Sequence, residues 1–103
     1  MWAQLITTRL KAGQEGALPR LAEALRKAEQ PGSGMVRSLL MQDAHDPGKA
    51  YMLVVFESEE KARAREADPK RQEGLQAARA VMAEIFDGAP EFLDLTIAVE
   101  STA

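Results

Sequence analysis

The most charged stretch of the sequence, ESEEKARAREADPKRQEG at residues 57–74, contains most of the groups that could act on a ligand. It offers arginine, lysine and carboxylate side chains, whereas the whole chain has one histidine and no cysteine. An arginine can hold a carboxylate or an enolate oxygen through the planar fork of its guanidinium. The mixed signs at short spacing favour a simpler interpretation, a solvated helix face with weak ion pairs.

Composition excludes several kinds of site. The 103 residues carry a net charge of −3, which argues against the basic surface that nucleic-acid binding normally needs. The absence of cysteine excludes disulfides, thiolate metal sites and thiol nucleophiles. His45 lies between Asp43 and Asp46 in DAHDPGK, where the neighbouring carboxylates would favour the imidazolium. These three residues are too close in sequence to converge easily on one ion, so we expect no metal site, and the role of His45 stays open.

The sequence also lacks signals for export or membrane insertion. The first residues, MWAQLITTRLKAG, do not have the basic and long apolar regions of a signal peptide. No run approaches the 18 apolar residues that a membrane-spanning helix requires. We therefore expect one domain over residues 1–103, in the cytoplasm.

Hydrophobic periodicity predicts four strands and three helices. Alternation predicts strands at residues 2–10, 35–42, 50–57 and 91–99, and a helical period covers residues 14–30. Ser58 is a plausible N-cap for a short helix that ends near Ala67. Asp68 and Pro69 then begin a long helix that closes at residues 87–88. The order βαββ(α)αβ predicts a ferredoxin-like α+β fold, with a four-stranded antiparallel sheet and its helices on one face.

The strand pattern further predicts a homodimer. The third strand, AYMLVVFE, is apolar on both faces, and the last strand presents Leu93, Leu95, Ile97 and Val99 on one face. Helices can cover only one face of such a sheet, and monomers rarely leave a large apolar patch in water. Two-fold packing of sheet against sheet would cover the other face and form a dimeric α/β barrel.

Several segments resemble the antibiotic-biosynthesis-monooxygenase-like family of dimeric α/β barrels. The clearest are VVFESEEKARA, at the junction of the third strand with the short helix, and the DP that starts the long helix. The resemblance covers essentially the whole chain. It implies a pocket between the helices and the sheet of each subunit. It also implies cofactor-free oxidation of polyketide quinone precursors, as in some members, or haem degradation, as in others.

This sequence departs from the residues that active members of the family use. The family has an asparagine late in the first strand, a tryptophan or histidine on the short helix and a histidine on the long one. The corresponding places fall near Thr8, near Ala64 or Arg65, and at Asp68-Pro69-Lys70. The resemblance therefore predicts no haem degradation and no cofactor. It leaves Arg65 and Thr8 as candidate catalytic residues, and Tyr51 joins them as the one phenolic donor.

A small apolar ligand would need a cavity lined by adaptable side chains. The candidates are Gln4, Met41, Phe56, Met82 and Phe86, and each apolar one would serve equally as core filler. We expect a cofactor-independent monooxygenase acting on a small, apolar or aromatic, enolisable substrate. The alternative is a non-catalytic barrel that binds a small molecule or assists another protein. A cavity of about 300 Å³ or more would favour ligand chemistry, and a filled core would favour a structural role.

RNA binding is a third function known for the βαββαβ order. The third strand lacks the run of basic, glycine and aromatic residues that such proteins use to stack bases. The acidic composition points the same way, so we expect no nucleic-acid partner.

Overall fold

A computed structural model describes residues 1–103 and has the predicted element order and the predicted ferredoxin-like α+β fold. The four strands form one antiparallel sheet in the order β2-β3-β1-β4. None of the helices combines the length and the apolar character needed to cross a membrane. The elements are β1 (Trp2–Arg9), α1 (Leu18–Ala28), β2 (Met35–Gln42), β3 (Lys49–Phe56), α2 (Glu59–Ala67), α3 (Pro69–Ile85) and β4 (Glu91–Thr96).

The first helix is shorter than predicted. It begins at Leu18 instead of residue 14, because the chain first makes a turn in which the Ala17 N–H donates to the Gln14 carbonyl at 3.1 Å. Pro19 then occupies the first turn of the helix, where a backbone N–H would have no intrahelical acceptor, so its lack of an N–H costs no hydrogen bond. The helical period of residues 14–30 therefore overestimates the helix at its start.

The ends of β4 and α3 also differ from the prediction. β4 stops at Thr96 instead of residue 99 because its partner strand runs out: Trp2 pairs with Thr96, and the Ile97 N–H makes one last bond to the Met1 carbonyl. α3 ends two residues early because Phe86 leaves the helix to form a bridge with Leu10. Tertiary partners set both boundaries.

Two predicted caps shape the corner between α2 and α3. The Ser58 hydroxyl accepts a hydrogen bond from the Lys61 N–H at 3.2 Å, and the Asp68 carboxylate accepts one from the Lys70 N–H at 3.0 Å. Each cap satisfies an N–H group that would otherwise have no partner at a helix start. Asp68 ends one helix and starts the next, so Arg65 and Arg71 lie on either side of the same corner.

The helices pack on one face of the sheet, and the residues buried there form two separate clusters. α1 and α3 touch closely at Gly74, where a Cβ atom would lie 3.1 Å from the Ala28 Cα. A larger residue at position 74 would push the two helices apart. The larger cluster is Leu10, Leu18, Leu21, Ala28, Ala50, Leu75, Ala78 and Ile85, and the smaller is Trp2, Val54, Phe56 and Ala62.

The other face of the sheet, which we call the leucine face, carries a row of leucines that no helix covers. The strand register aligns one leucine from each strand in the order Leu39, Leu53, Leu5 and Leu93. Leu93 is 56% exposed and the other three are partly exposed. The third strand is therefore apolar on both faces, as its sequence predicted.

Candidate functional site

A cavity of about 800 Å³ lies between the helices and the sheet. Cavity-facing residues of the four strands form its floor, and α1 and α3 form most of its roof. The two buried clusters flank it, one around Ile85 and the other around Phe56. Ligand sites in proteins start at about 300 Å³, so the interior has room for a small molecule. The space under the helices is hollow, not a filled core.

Four of the five predicted ligand-binding residues line this cavity, namely Gln4, Phe56, Met82 and Phe86. Met41 does not. It pairs with Tyr51 in the strand register and is 38% exposed on the opposite face of the sheet. Strand alternation gives the cavity position to the preceding residue, Leu40, which lies opposite Met52.

Two polar side chains of the cavity floor, Gln4 and Thr8, differ in their hydrogen bonding. The Gln4 amide donates to an Asp94 oxygen at 3.1 Å, and Arg63 donates to the other Asp94 oxygen at 3.0 Å. The hydrogen bond from Gln4 and then that from Arg63 hold the pKa of Asp94 below its usual value. The Thr8 hydroxyl is shielded from solvent and has no protein partner. A buried hydroxyl without a partner is rare, and Thr8 belongs to the cavity lining, which makes it the candidate to bind a ligand oxygen.

Arg65 reaches the cavity, but a carboxylate of the protein occupies its guanidinium. Its Nε and Nη2 atoms donate to Glu29 at 2.7–3.1 Å, and the Arg65 side chain is only 13% exposed. The guanidinium also lies 5.2 Å from the centre of the Phe56 ring. Burial alone would raise the pKa of Glu29, yet hydrogen bonds from Arg65 and Ser33 leave it below its usual value. The pair ties the end of α1 to α2.

Arg71 is a cavity residue that the sequence reasoning did not single out. It lines the cavity from the first turn of α3, is partly buried, and makes no hydrogen bond or ion pair with the protein. Burial and then the nearby charge of Arg65 lower its pKa, while the charges of Glu29 and Glu66 partly oppose this. A signal was present in the sequence: Arg71 lies four residues before Leu75, on the same helix face as Met82.

Of the two remaining candidates, Tyr51 belongs to the cavity lining and His45 does not. Tyr51 sits between Thr7 and Met41 in the register, so strand alternation directs its side chain to the leucine face, opposite to the side chains of its neighbours Ala50 and Met52. His45 is exposed in the turn between β2 and β3, where its backbone N–H donates to the Asp43 carboxylate at 2.8 Å. Asp46 forms an ion pair with Arg9 at 2.7 Å. No group of three metal-ligating side chains occurs in this turn or elsewhere.

Both carboxylates in the cavity wall are already paired. Glu29 binds Arg65, and Glu66 binds Arg63 at 3.1 Å. Arg65 stabilises the charged form of Glu29, which makes this carboxylate a weaker base. The cavity therefore offers a hydroxyl donor and a free guanidinium, but no unpaired general base.

The chain shares its fold with solved proteins at low sequence identity. It is 16% identical to Rv0793 from Mycobacterium tuberculosis, with a TM-score of 0.72 and 98% of each chain covered. It is 13% identical to a protein described as an antibiotic biosynthesis monooxygenase, with a TM-score of 0.71 over 96% of this chain and 100% of that one. It is 14% identical to a variant of MhuD with two manganese protoporphyrin IX molecules bound per active site, with a TM-score of 0.73 and both chains fully covered.

These similarities confirm, at the level of the fold, the resemblance to the antibiotic-biosynthesis-monooxygenase-like family. No family model and no curated protein matches the sequence. Activity must therefore be argued from the cavity itself.

Proposed function

We propose that this chain is an antibiotic-biosynthesis-monooxygenase-like protein that binds a small, flat, apolar molecule between its helices and its sheet. The bound molecule is enolisable and reacts with O₂ without a cofactor. The observation that supports this most strongly is the hollow interior of about 800 Å³, whose lining includes Thr8, a residue with a buried hydroxyl that has no protein partner. A residue-lined space of this size at the place where the fold family binds ligands fits a substrate pocket.

The proposed reaction needs little from the protein. A methylene group conjugated with a carbonyl, as in an anthrone, loses a proton to give an enolate, and the carbanionic carbon of the enolate is oxidised by O₂. One oxygen atom becomes the new carbonyl, and the other leaves as water with the two hydrogens of the methylene. The substrate supplies all the electrons, so no further reductant is required. The protein excludes water, and Thr8 donates a hydrogen bond to the oxygen on which negative charge develops.

A second candidate function is binding without turnover. It is favoured by one specific observation: Glu29 and Glu66, the carboxylates of the cavity wall, are both held by arginines. Without a free base, the protein would oxidise only a substrate that ionises readily by itself. Otherwise it would bind its ligand without turnover. Rate measurements separate the two functions, because they share the same pocket.

Oxygen uptake with a panel of anthrones tests the proposed reaction, because each anthrone has the methylene group conjugated with a carbonyl that the reaction requires. We expect saturable uptake, and we expect Thr8→Val to lower kcat/KM by about tenfold or more, because the enolate loses a charge-assisted hydrogen bond. Thr7→Val is the matched control, since Thr7 lies on the opposite face of the sheet, and it should leave the rate unchanged. Binding of the panel without uptake would favour the carrier function. No binding at all would contradict both.

The homodimer is proposed on a separate observation. The row of Leu39, Leu53, Leu5 and Leu93 crosses the whole sheet on the face without helices. Two-fold packing of this face against its copy would bury the row in both subunits and complete a barrel. The cavity lies on the opposite side of the sheet, so the two sites do not compete for the same residues.

A further inference from the structure

We propose that the ligand carries an anionic group, a carboxylate or a phosphate, which Arg71 binds at the end of the cavity beside the α2–α3 corner. The apolar body of the ligand then extends along α3 toward Thr8. This inference rests on the proposed use of the cavity as a ligand site and specifies the class of molecule that it takes.

The first observation is the charge of the cavity wall. Although the chain has a net charge of −3, its cavity is lined by four arginines and only two glutamates. An excess of positive charge in a partly enclosed space attracts anions, because the surrounding protein screens it less than water does. The arginines are Arg26, Arg65, Arg71 and Arg79, and the glutamates are Glu29 and Glu66.

The second observation is that three of these arginines have partners and one has none. Arg26 pairs with Glu23 at 2.6 Å, Arg65 pairs with Glu29 at 2.7 Å, and Arg79 donates to the side chain of Gln72. Arg71 is partly buried and near the charges of Glu29 and Glu66, but it makes neither a hydrogen bond nor an ion pair with them. A partly buried charge without a partner is unfavourable, and an anionic ligand would remove that penalty. The planar guanidinium suits two-oxygen groups such as carboxylate and phosphate.

The third observation is that the two polar features lie at opposite ends of the cavity. Arg71 is in the first turn of α3, beside the α2–α3 corner. Thr8 is two residues before Leu10, which bridges to Phe86 just beyond the last turn of α3. At about 1.5 Å per residue, Met82, near that end, lies about 16 Å along the helix from Arg71. A ligand with an anionic group at one end and an enolisable carbonyl at the other fits this spacing.

Binding of anthracene-2-carboxylate and of its neutral carboxamide, followed by anthracene fluorescence, tests the inference. We expect the natural sequence to bind the carboxylate about 10- to 100-fold more tightly than the carboxamide, because only the carboxylate forms an ion pair with the guanidinium. Anthracene phosphate esters in a parallel titration identify which anion is preferred. Raising the salt concentration should weaken carboxylate binding and leave carboxamide binding unchanged.

Variants then assign the preference to one residue. Arg71→Gln should remove the preference for the carboxylate while carboxamide binding persists, and Arg71→Lys should keep part of it. Arg37→Gln removes an exposed arginine from the leucine face of the sheet and should change neither affinity. If the carboxamide binds as tightly as the carboxylate, the proposed anion site is wrong, while the proposal that the cavity binds an apolar molecule is still supported. If neither probe binds, the proposed function fails as well. A preference that survives in Arg71→Gln would also overturn the inference.

Discussion

Leu53→Lys is expected to convert the proposed homodimer into monomers, with a dimer dissociation constant at least about a thousandfold higher. Leu53 lies at the centre of the leucine row, between Leu39 and Leu5 in the strand register. Removing a leucine side chain that is buried in the interface costs about 2 kcal/mol of binding free energy. Two-fold symmetry places the substitution in the interface twice, so each dimer loses about 4 kcal/mol before the charge of the lysine is considered. Analytical ultracentrifugation over a concentration series measures the change.

The matched control is Leu53→Met, which keeps the volume and apolar character of the side chain. It should stay dimeric, with a dissociation constant within about tenfold of the original. Circular dichroism should show that both variants keep the fold, because the substituted side chain faces away from the cavity. A natural sequence that sediments as a monomer at high micromolar concentration would contradict the proposed dimer.

Ile85→Ala is expected to lower the free energy of unfolding by about 3–4 kcal/mol. Ile85 is fully buried in the cluster that includes Leu10, Leu18 and Leu21 and closes one end of the cavity. Truncation removes the contacts of the side chain with these buried neighbours and leaves an empty space in their place, because packed surroundings relax only partly. The loss is a large part of the roughly 5–15 kcal/mol that stabilises a typical domain. Urea unfolding at a fixed protein concentration measures it.

Val99→Ala is the control, since Val99 is 86% exposed and lies beyond the end of β4. It should change stability by less than about 0.5 kcal/mol. The protein concentration must be the same for each variant, because association adds to the apparent stability of a dimer. A loss below about 1 kcal/mol in Ile85→Ala would mean that this end of the cavity collapses around the missing atoms.

Local signals in the sequence predicted most of the fold correctly. Ser58 and the Asp68-Pro69 pair begin their helices as predicted, because a cap depends on residues within one turn. Alternation gave the correct faces of β1 and β3 for the same reason. The errors fell at element ends, such as Thr96 and Phe86, where pairing with a distant strand decides the boundary.

The site was less predictable because it depends on contacts between distant parts of the chain. Arg65 was chosen from the resemblance, but its partner Glu29 lies 36 residues away and occupies its guanidinium. Arg71 was passed over because its many charged neighbours made the whole stretch look like solvated surface. Residue type alone suggested Met41, and the register placed it on the other face of the sheet. The unpartnered hydroxyl of Thr8 is visible only once its surroundings are known.

Methionine methyl NMR tests most directly whether the space between the helices and the sheet is the ligand site. Met52 and Met82 line that space, whereas Met41 lies on the leucine face and serves as an internal control. On titration with anthracene-2-carboxylate, we predict that the methyl signals of Met52 and Met82 shift and saturate together while that of Met41 stays unchanged. A shift of Met41 with unchanged Met52 and Met82 signals would place the ligand on the opposite face and contradict the proposed site.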